Sequence, residues 1–206
     1  MLNFSEITAH SRLYNFHSHT QFCDGRATME VFAQAAVAAG FSDYGFSPHS
    51  PIPIESPCNM SKDNVEEYLA EVNRFKQLYR GKTHFYTSME IDYLNDNWGP
   101  AHSYFSSIPL DYKIGSVHFI PTRHGEFIDV DGKFENFKKK MSAFFDNDIR
   151  YVVETFYKQT LSMIYAGGFD IIGHFDKIAR NANDFHPGIE DEAWYQQLVA
   201  QVIEAI

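Results

Sequence analysis

Leu13-Tyr14-Asn15-Phe16-His17-Ser18-His19, then Thr28 to Ala39, then Tyr44-Gly45-Phe46-Ser47-Pro48-His49 are the stretches that decide the fold. The first run, Leu13 to His17, predicts a buried strand. Thr28 to Ala39 is rich in alanine, the strongest helix former, and Gly40 follows it as a stop signal. Tyr44 to Ser47 predicts a second strand that ends at Pro48-His49. Strand, helix and strand in this order make the unit from which parallel sheets are wound.

The pattern continues along the chain. After a proline-rich loop to Pro57, a helix is expected from near Ser61 to about Arg80, with Val65, Tyr68, Leu69, Val72, Phe75 and Leu78 forming an apolar stripe. Thr83 to Ile91 alternates as a strand does, and Tyr112 to Phe119 predicts a fourth strand. Helices are expected at Phe134 to Phe145 and Arg150 to Ala166, a fifth strand at Phe169 to His174, and a last helix from about Asp191. No repeat or linker interrupts this, so residues 1–206 are expected to form a single α/β domain, either an open doubly wound sheet or a barrel. In both, active sites lie at the carboxyl ends of the strands.

Composition narrows the function. Of 206 residues 44% are hydrophobic, which suits a globular core. The apolar run from Val31 to Phe41 is far short of the roughly 20 residues of a membrane span, and the N-terminus lacks the pattern of a secretory signal. A cytoplasmic location is expected, with no membrane partner. Seventeen basic residues against 27 acidic ones give a net charge of -10 and argue against nucleic acid as a partner. Lys138-Lys139-Lys140 reads as a solvated helix face. Cys23 and Cys58, without a Cys-x-x-Cys pair, suggest reduced thiols.

Ten histidines are the unusual feature. The first strand ends in His17-Ser18-His19, the second in His49, the third in Glu90-Ile91-Asp92, the fourth in Ser116-Val117-His118 and the fifth in Gly173-His174-Phe175-Asp176. Residues i and i+2 of an extended segment share a face, so His17 and His19 can aim two imidazoles at one point. Asp24 follows on the next loop. His10, His84, His102, His124 and His186 are scattered and are expected to serve surface or local hydrogen bonding. The strand-end set exceeds the needs of one four-coordinate ion and predicts a multinuclear site with a bridging carboxylate such as Glu90, suited to phosphoester hydrolysis.

These residues resemble the PHP (polymerase and histidinol phosphatase) superfamily, and within it the stand-alone histidinol-phosphatases. The motifs are Asn15-Phe16-His17-Ser18-His19-Thr20 with Cys23-Asp24-Gly25, Phe46-Ser47-Pro48-His49, Glu90-Ile91-Asp92-Tyr93, Gly115-Ser116-Val117-His118-Phe119 and Gly173-His174-Phe175-Asp176. The resemblance implies a distorted (β/α) barrel with two or three divalent transition metal ions, zinc, manganese or iron. It assigns His17, His19 and Glu90 to one ion, Glu90, His118 and His174 to a second, and Asp24 with His49 to a third. Glu90, His118 and Asp176 are the candidate catalytic residues, with Asp92 or Asp176 orienting a histidine or moving a proton. Arg26, Arg123 and Arg180 are candidates for gripping substrate phosphate, and Lys177 is a weaker one, because a guanidinium meets two phosphate oxygens at once.

The same resemblance implies a further Asp-x-His at the end of the last strand, and this is missing. About five of seven barrel strands are accounted for. The expectation is a C-terminally shortened form with weakened first and third metal sites and an open sheet edge that favours a homo-oligomer. The last helix, with Trp194, Leu198, Val202 and Ile203 on one stripe, is expected to seek a packing partner. The expected activity is hydrolysis of a small phosphate ester, L-histidinol phosphate first, with a nucleotide-directed phosphoesterase or a metal-binding remnant without turnover as alternatives.

Overall fold

The computed structural model describes residues 2–206. In chain order the elements are α1 (Phe4–His10), β1 (Tyr14–Asn15), α2 (Met29–Ala39), β2 (Asp43–Phe46), α3 (Val65–Leu78), β3 (His84–Asp92), α4 (Ser103–Ser106), β4 (Tyr112–Ser116), β5 (Phe119–Pro121), β6 (Phe127–Asp129), α5 (Phe134–Phe144), α6 (Ile149–Ala166), β7 (Ile171–Ile172), α7 (Ile178–Phe185) and α8 (Ala193–Ala205). Short 3-10 turns at Lys62–Asn64 and Ile189–Asp191 precede α3 and α8. No helix among the described residues is long and apolar enough to cross a membrane.

The chain divides into two compact units. The first holds the residues up to Ile91, Ser103–Ile114 and Phe169–Ile171; the second holds Asp92–His102, Gly115–Gly168 and Ile172–Ile206. The division runs along β3, β4 and β7 themselves, so no linker composition marks it.

In the first unit the strands run in the order β1-β2-β3-β4-β7 in an α/β parallel sheet. β1 pairs parallel with β2, Tyr14 opposite Asp43, and β2 with β3, Phe46 opposite Thr87. Past the end of β2 the pairing resumes as an isolated parallel bridge between His49 and Glu90. Thr28 caps α2 by accepting from the Val31 amide, and Gly40 ends it in the left-handed conformation, φ 79°. The helix buries Met29, Ala33 and Ala36, one face of the 3.6-residue period. α3 buries Val65, Tyr68, Val72 and Phe75 in the same way. Phe75 joins Phe46 and Phe85, which stack 5.7 Å apart. The Tyr68 hydroxyl lies within 2.9 Å of Phe46 O and 2.6 Å of Ser88 O, tying β2 to β3 near their carboxyl ends.

In the second unit β5 and β6 form an antiparallel hairpin. α6 packs on α7 and α8; Val152, Phe156 and Tyr157 of α6, Ile178 of α7, and Tyr195 and Val202 of α8 are all buried. The Tyr93 amide donates to Ser116 O and the Gly173 amide to Gly115 O, which holds the carboxyl ends of β3, β4 and β7 together within this unit.

Several expected elements differ. Leu13 to His17 is not a buried strand: β1 is two residues long at the sheet edge, and Leu13 and Tyr14 remain 46% and 42% exposed because only one neighbour covers them. The run from Tyr112 to Phe119 is not one strand. The chain leaves the sheet at Val117-His118, and Phe119–Pro121 turns back through Gly125 to pair with Phe127–Asp129. The expected fifth strand shrinks to Ile171–Ile172. On α8 the stripe is rotated: Tyr195 and Val202 are buried, whereas Ile203 is exposed. Helices α1, α4 and α7 were not expected.

Candidate metal centre

In the first unit His17 and His19 lie just past β1, His49 beyond β2, and Glu90 in β3 is fully buried. The His49 bridge, in which the Ser50 amide donates to Glu90 O and the Glu90 amide to Pro48 O, sets the His49 ring beside the Glu90 carboxylate. His49 Nδ1 is 3.2 Å from Glu90 Oε2. His19 Nε2 is 3.3 Å from Glu90 Oε2 and 3.4 Å from His17 Nε2, and His17 Nε2 is 3.8 Å from Glu90 Oε1. Ligands about 2.1 Å from a tetrahedral zinc stand about 3.4 Å from one another. His17, His19 and Glu90 therefore have the spacing of one face of a coordination shell, and imidazole nitrogen with carboxylate oxygen is a donor set suited to a divalent transition metal.

The groups behind these side chains fit that use. His17 Nδ1 is 2.7 Å from Ser47 Oγ, which also accepts from the Ser18 amide. A proton on Nδ1 bonded to Ser47 leaves the Nε2 lone pair aimed into the cluster. Asp24 returns to His19 through a tight turn in which the Cys23 and Gly25 amides both donate to Thr20 O. A Cβ at Gly25 would fall 2.3 Å from Thr20 N, so only glycine closes this turn. Asp24 Oδ1 is 3.0 Å from His19 Nδ1 and 3.9 Å from His49 Nε2, a second grouping of His19, Asp24 and His49. Burial alone would lower the pKa of His19, but its contacts with Cys23 and Glu90 outweigh this and lift it to about 10.

In the second unit His118, just after β4, lies 2.6 Å by Nδ1 from Asp92 Oδ1, and both side chains are buried. The carboxylate fixes the proton on Nδ1, so Nε2 presents its lone pair. His174, after β7, places its own Nε2 3.1 Å away. Two imidazole nitrogens converging at that distance, one held by a buried carboxylate, match a pair of ligands and their outer support.

His174 opens into a cavity of about 400 Å³ lined also by Asp131, Asp176, Lys177 and Arg180. Lys177 Nζ is 3.0 Å from Asp131 Oδ2. Burial would raise the Asp131 carboxyl, but the Gly132 amide, Lys177 and His118 together hold it below its ordinary value. Arg180 is exposed on α7, 4.0 Å from Asp184. Arg123 is engaged elsewhere: it donates to Asp148 at 2.6 Å and lies over the Tyr151 ring. Arg26 is exposed two residues past Asp24. Asp131 and Ser47 were missed by the sequence reading. The Phe46-Ser47-Pro48-His49 motif pointed at Ser47, while Asp131 sits in a hairpin exit that carries no spacing signal.

A family model, the PHP domain, matches residues 15–206. The chain belongs to the PHP domain family. Among curated proteins this PHP domain is similar to the histidinol-phosphatase of Bacillus subtilis, 30% identical over 169 residues that cover 73% of the chain and 59% of the relative. Among solved structures it is similar to a histidinol phosphatase candidate from Listeria monocytogenes, with a TM-score of 0.79 at 17% identity, over 93% of the chain and 78% of that protein. A histidinol phosphate phosphatase of Lactococcus lactis, crystallised with zinc, L-histidinol and phosphate, matches with a TM-score of 0.58 at 24% identity, over 82% of the chain and 59% of that protein. These likenesses establish the fold, the distorted barrel type expected from the motifs. The PHP domain spans 55 to 60% of the length of the curated relatives it matches.

Proposed function

We propose that this PHP domain belongs to a metal-dependent phosphomonoester hydrolase that converts L-histidinol phosphate to L-histidinol and phosphate. The observation that carries the reading is the 3.3 to 3.8 Å spacing of His17 Nε2, His19 Nε2 and the Glu90 oxygens, which suits one face of a metal's coordination shell. The substrate comes from the names of the curated relatives.

In this reading His17, His19 and Glu90 would hold one ion, Glu90 with His118 and His174 a second, and Asp24 with His49 a third, the metals being zinc, manganese or iron. When bound, such ions supply a water of lowered pKa and neutralise charge on phosphoryl oxygens. The chain's own groups orient the reaction. Ser47 and Asp92 keep the proton of His17 and His118 on Nδ1, so that each ring faces the site with a lone pair. Arg180 and Lys177, which line the same cavity as His174, would meet the phosphate; the Asp131 carboxylate, 3.0 Å from Nζ, holds Lys177 in place. Asp176, on the same cavity, would hand a proton to the departing alcohol oxygen.

Phosphate release from L-histidinol phosphate, nucleoside monophosphates and short oligonucleotides, each with zinc or manganese added, tests the proposal. The expected result is release from L-histidinol phosphate, lost in His17→Ala and in His118→Ala. Release that survives both substitutions would remove the proposed site.

A further inference from the structure

The segment from Phe16 to His19 lies beyond the paired part of β1. The register with β2 ends at Asn15, opposite Tyr44, and β1 has a neighbour on one side only. A two-residue edge strand does not by itself fix the residues that follow it, yet His17 and His19 supply two of the three side chains of the coordination face. Side chains do that work in the first unit. The Ser47 amide donates to Ser18 O and the Ser18 hydroxyl donates to Gly45 O at 2.9 Å, which ties the segment to β2. The Tyr112 hydroxyl, from β4, donates to Phe16 O at 2.5 Å.

This last bond spans the sheet. β1 and β4 are three places apart, about 14 Å in a flat sheet, so the bond requires a sheet curled enough for a side chain of β4 to meet the backbone beyond β1. It also requires a gap in β2. A Cβ at Gly45 would fall 1.9 Å from the Tyr112 hydroxyl oxygen and 2.9 Å from its Cζ. Gly45 is not in the left-handed region, so what glycine supplies here is space. The Tyr112 ring is 1% exposed, with Phe4 and Phe16 edge-on to it at 5.4 and 5.8 Å. A phenylalanine would serve that packing equally well. The hydroxyl adds one bond, to the peptide that joins Phe16 to His17, and burial pushes its pKa above the ordinary range, so it stays a donor.

We propose that Tyr112 is a positioning residue for the metal face: its hydroxyl, passing through the gap at Gly45, fixes the Phe16–His17 peptide and thereby the aim of His17 and His19 at Glu90. The inference rests on the reading of His17, His19 and Glu90 as metal ligands; the hold on the segment stands on the bonds themselves.

The test uses the whole chain with Tyr112→Phe, which keeps the ring and removes the bond, and Gly45→Ala, which closes the gap. Tyr68→Phe, which removes a different buried hydroxyl bonded to sheet carbonyls, is the structural control. In the metal-free chain, NMR signals of the histidine rings should move for His17 and His19 in the first two variants and stay in place for His118 and His174. By chelator competition with zinc or manganese, one ion per chain should bind about tenfold more weakly in Tyr112→Phe and with unchanged affinity in Tyr68→Phe. Tyr112→Phe decides the matter should Gly45→Ala not fold. If Tyr112→Phe lost only stability in urea, as Tyr68→Phe is expected to, with ring signals and metal affinity those of the wild type, the proposal would be overturned and the metal reading left standing. A wild type that binds no metal, with the His17 and His19 signals moved in Tyr112→Phe, would refute the metal reading and keep the hold on the segment.

Discussion

Replacing Asp92 by asparagine isolates the part that a buried charge plays in preparing His118. The two side chains are 1% and 6% exposed and their bond is 2.6 Å long, so the interaction is almost unscreened by water. A hydrogen bond to a charged acceptor contributes about 1.5 to 3 kcal/mol and a neutral one about 0.5 to 1.5 kcal/mol. Asparagine keeps a carbonyl acceptor in the same place, so the tautomer persists and the loss is the difference, about 1 to 1.5 kcal/mol, or roughly tenfold in metal affinity. Alanine removes the acceptor and leaves a buried N–H without a bond, for which the expected loss is about a hundredfold, the upper range for an outer partner of a metal-bound histidine. Zinc or manganese affinity, measured by competition with a chelator, reads both, and urea unfolding of the metal-free variants separates a binding loss from a folding loss. If both variants bound metal within about twofold of the wild type, the argument that Asp92 sets His118 for coordination would be wrong.

The other expectations are smaller in scope. Tyr68→Phe removes the hydroxyl that bonds Phe46 O and Ser88 O inside a fully buried position, and should cost about 1 to 3 kcal/mol of stability by urea unfolding, with metal affinity kept in the folded fraction. With the pKa of His19 raised to about 10, a metal must displace a proton at neutral pH, so affinity should climb about tenfold per pH unit from pH 6 towards 9 in a buffered-metal titration. For the metal-free chain the sign is opposite: a raised pKa gives stability that is complete below about 6.5 and is lost as pH rises through about 10, visible as a falling urea midpoint. Arg180→Ala should raise KM for a phosphate ester by about tenfold or more, whereas Arg123→Ala, whose guanidinium is held by Asp148, should leave KM within about twofold; equal effects would contradict the placement of the two arginines.

The candidate groups of each unit were legible because a strand carries its terminal residues to one end of a sheet: His17, His19, His49 and Glu90 in the first unit, and His118 and His174 in the second, follow from the order of apolar runs. Helix α2 was legible from its alanines and Gly40, and α3 from its apolar stripe. What escaped depended on contacts distant in sequence. Nothing in Tyr112 to Phe119 says that Phe119 will pair with Asp129 rather than continue beside β3. α7, from Ile178 to Phe185, follows the His174 motif so closely that its short apolar pattern was hidden. Arg123 and Arg180 looked alike as residues following ligand-bearing strands; only packing against Tyr151 and Asp148 separates them. Asp131 became visible once the hairpin brought it to Lys177.

The strand-end imidazoles and carboxylates are proposed to hold metal ions that act on a phosphate ester. The most direct measurement is the number of divalent ions bound per chain after equilibrium dialysis against zinc or manganese, for the wild type, His17→Ala and His118→Ala. About two or three ions are expected in the wild type, with about one lost in each variant. A wild type that binds well under one ion per chain, or a count that neither substitution changes, would contradict it.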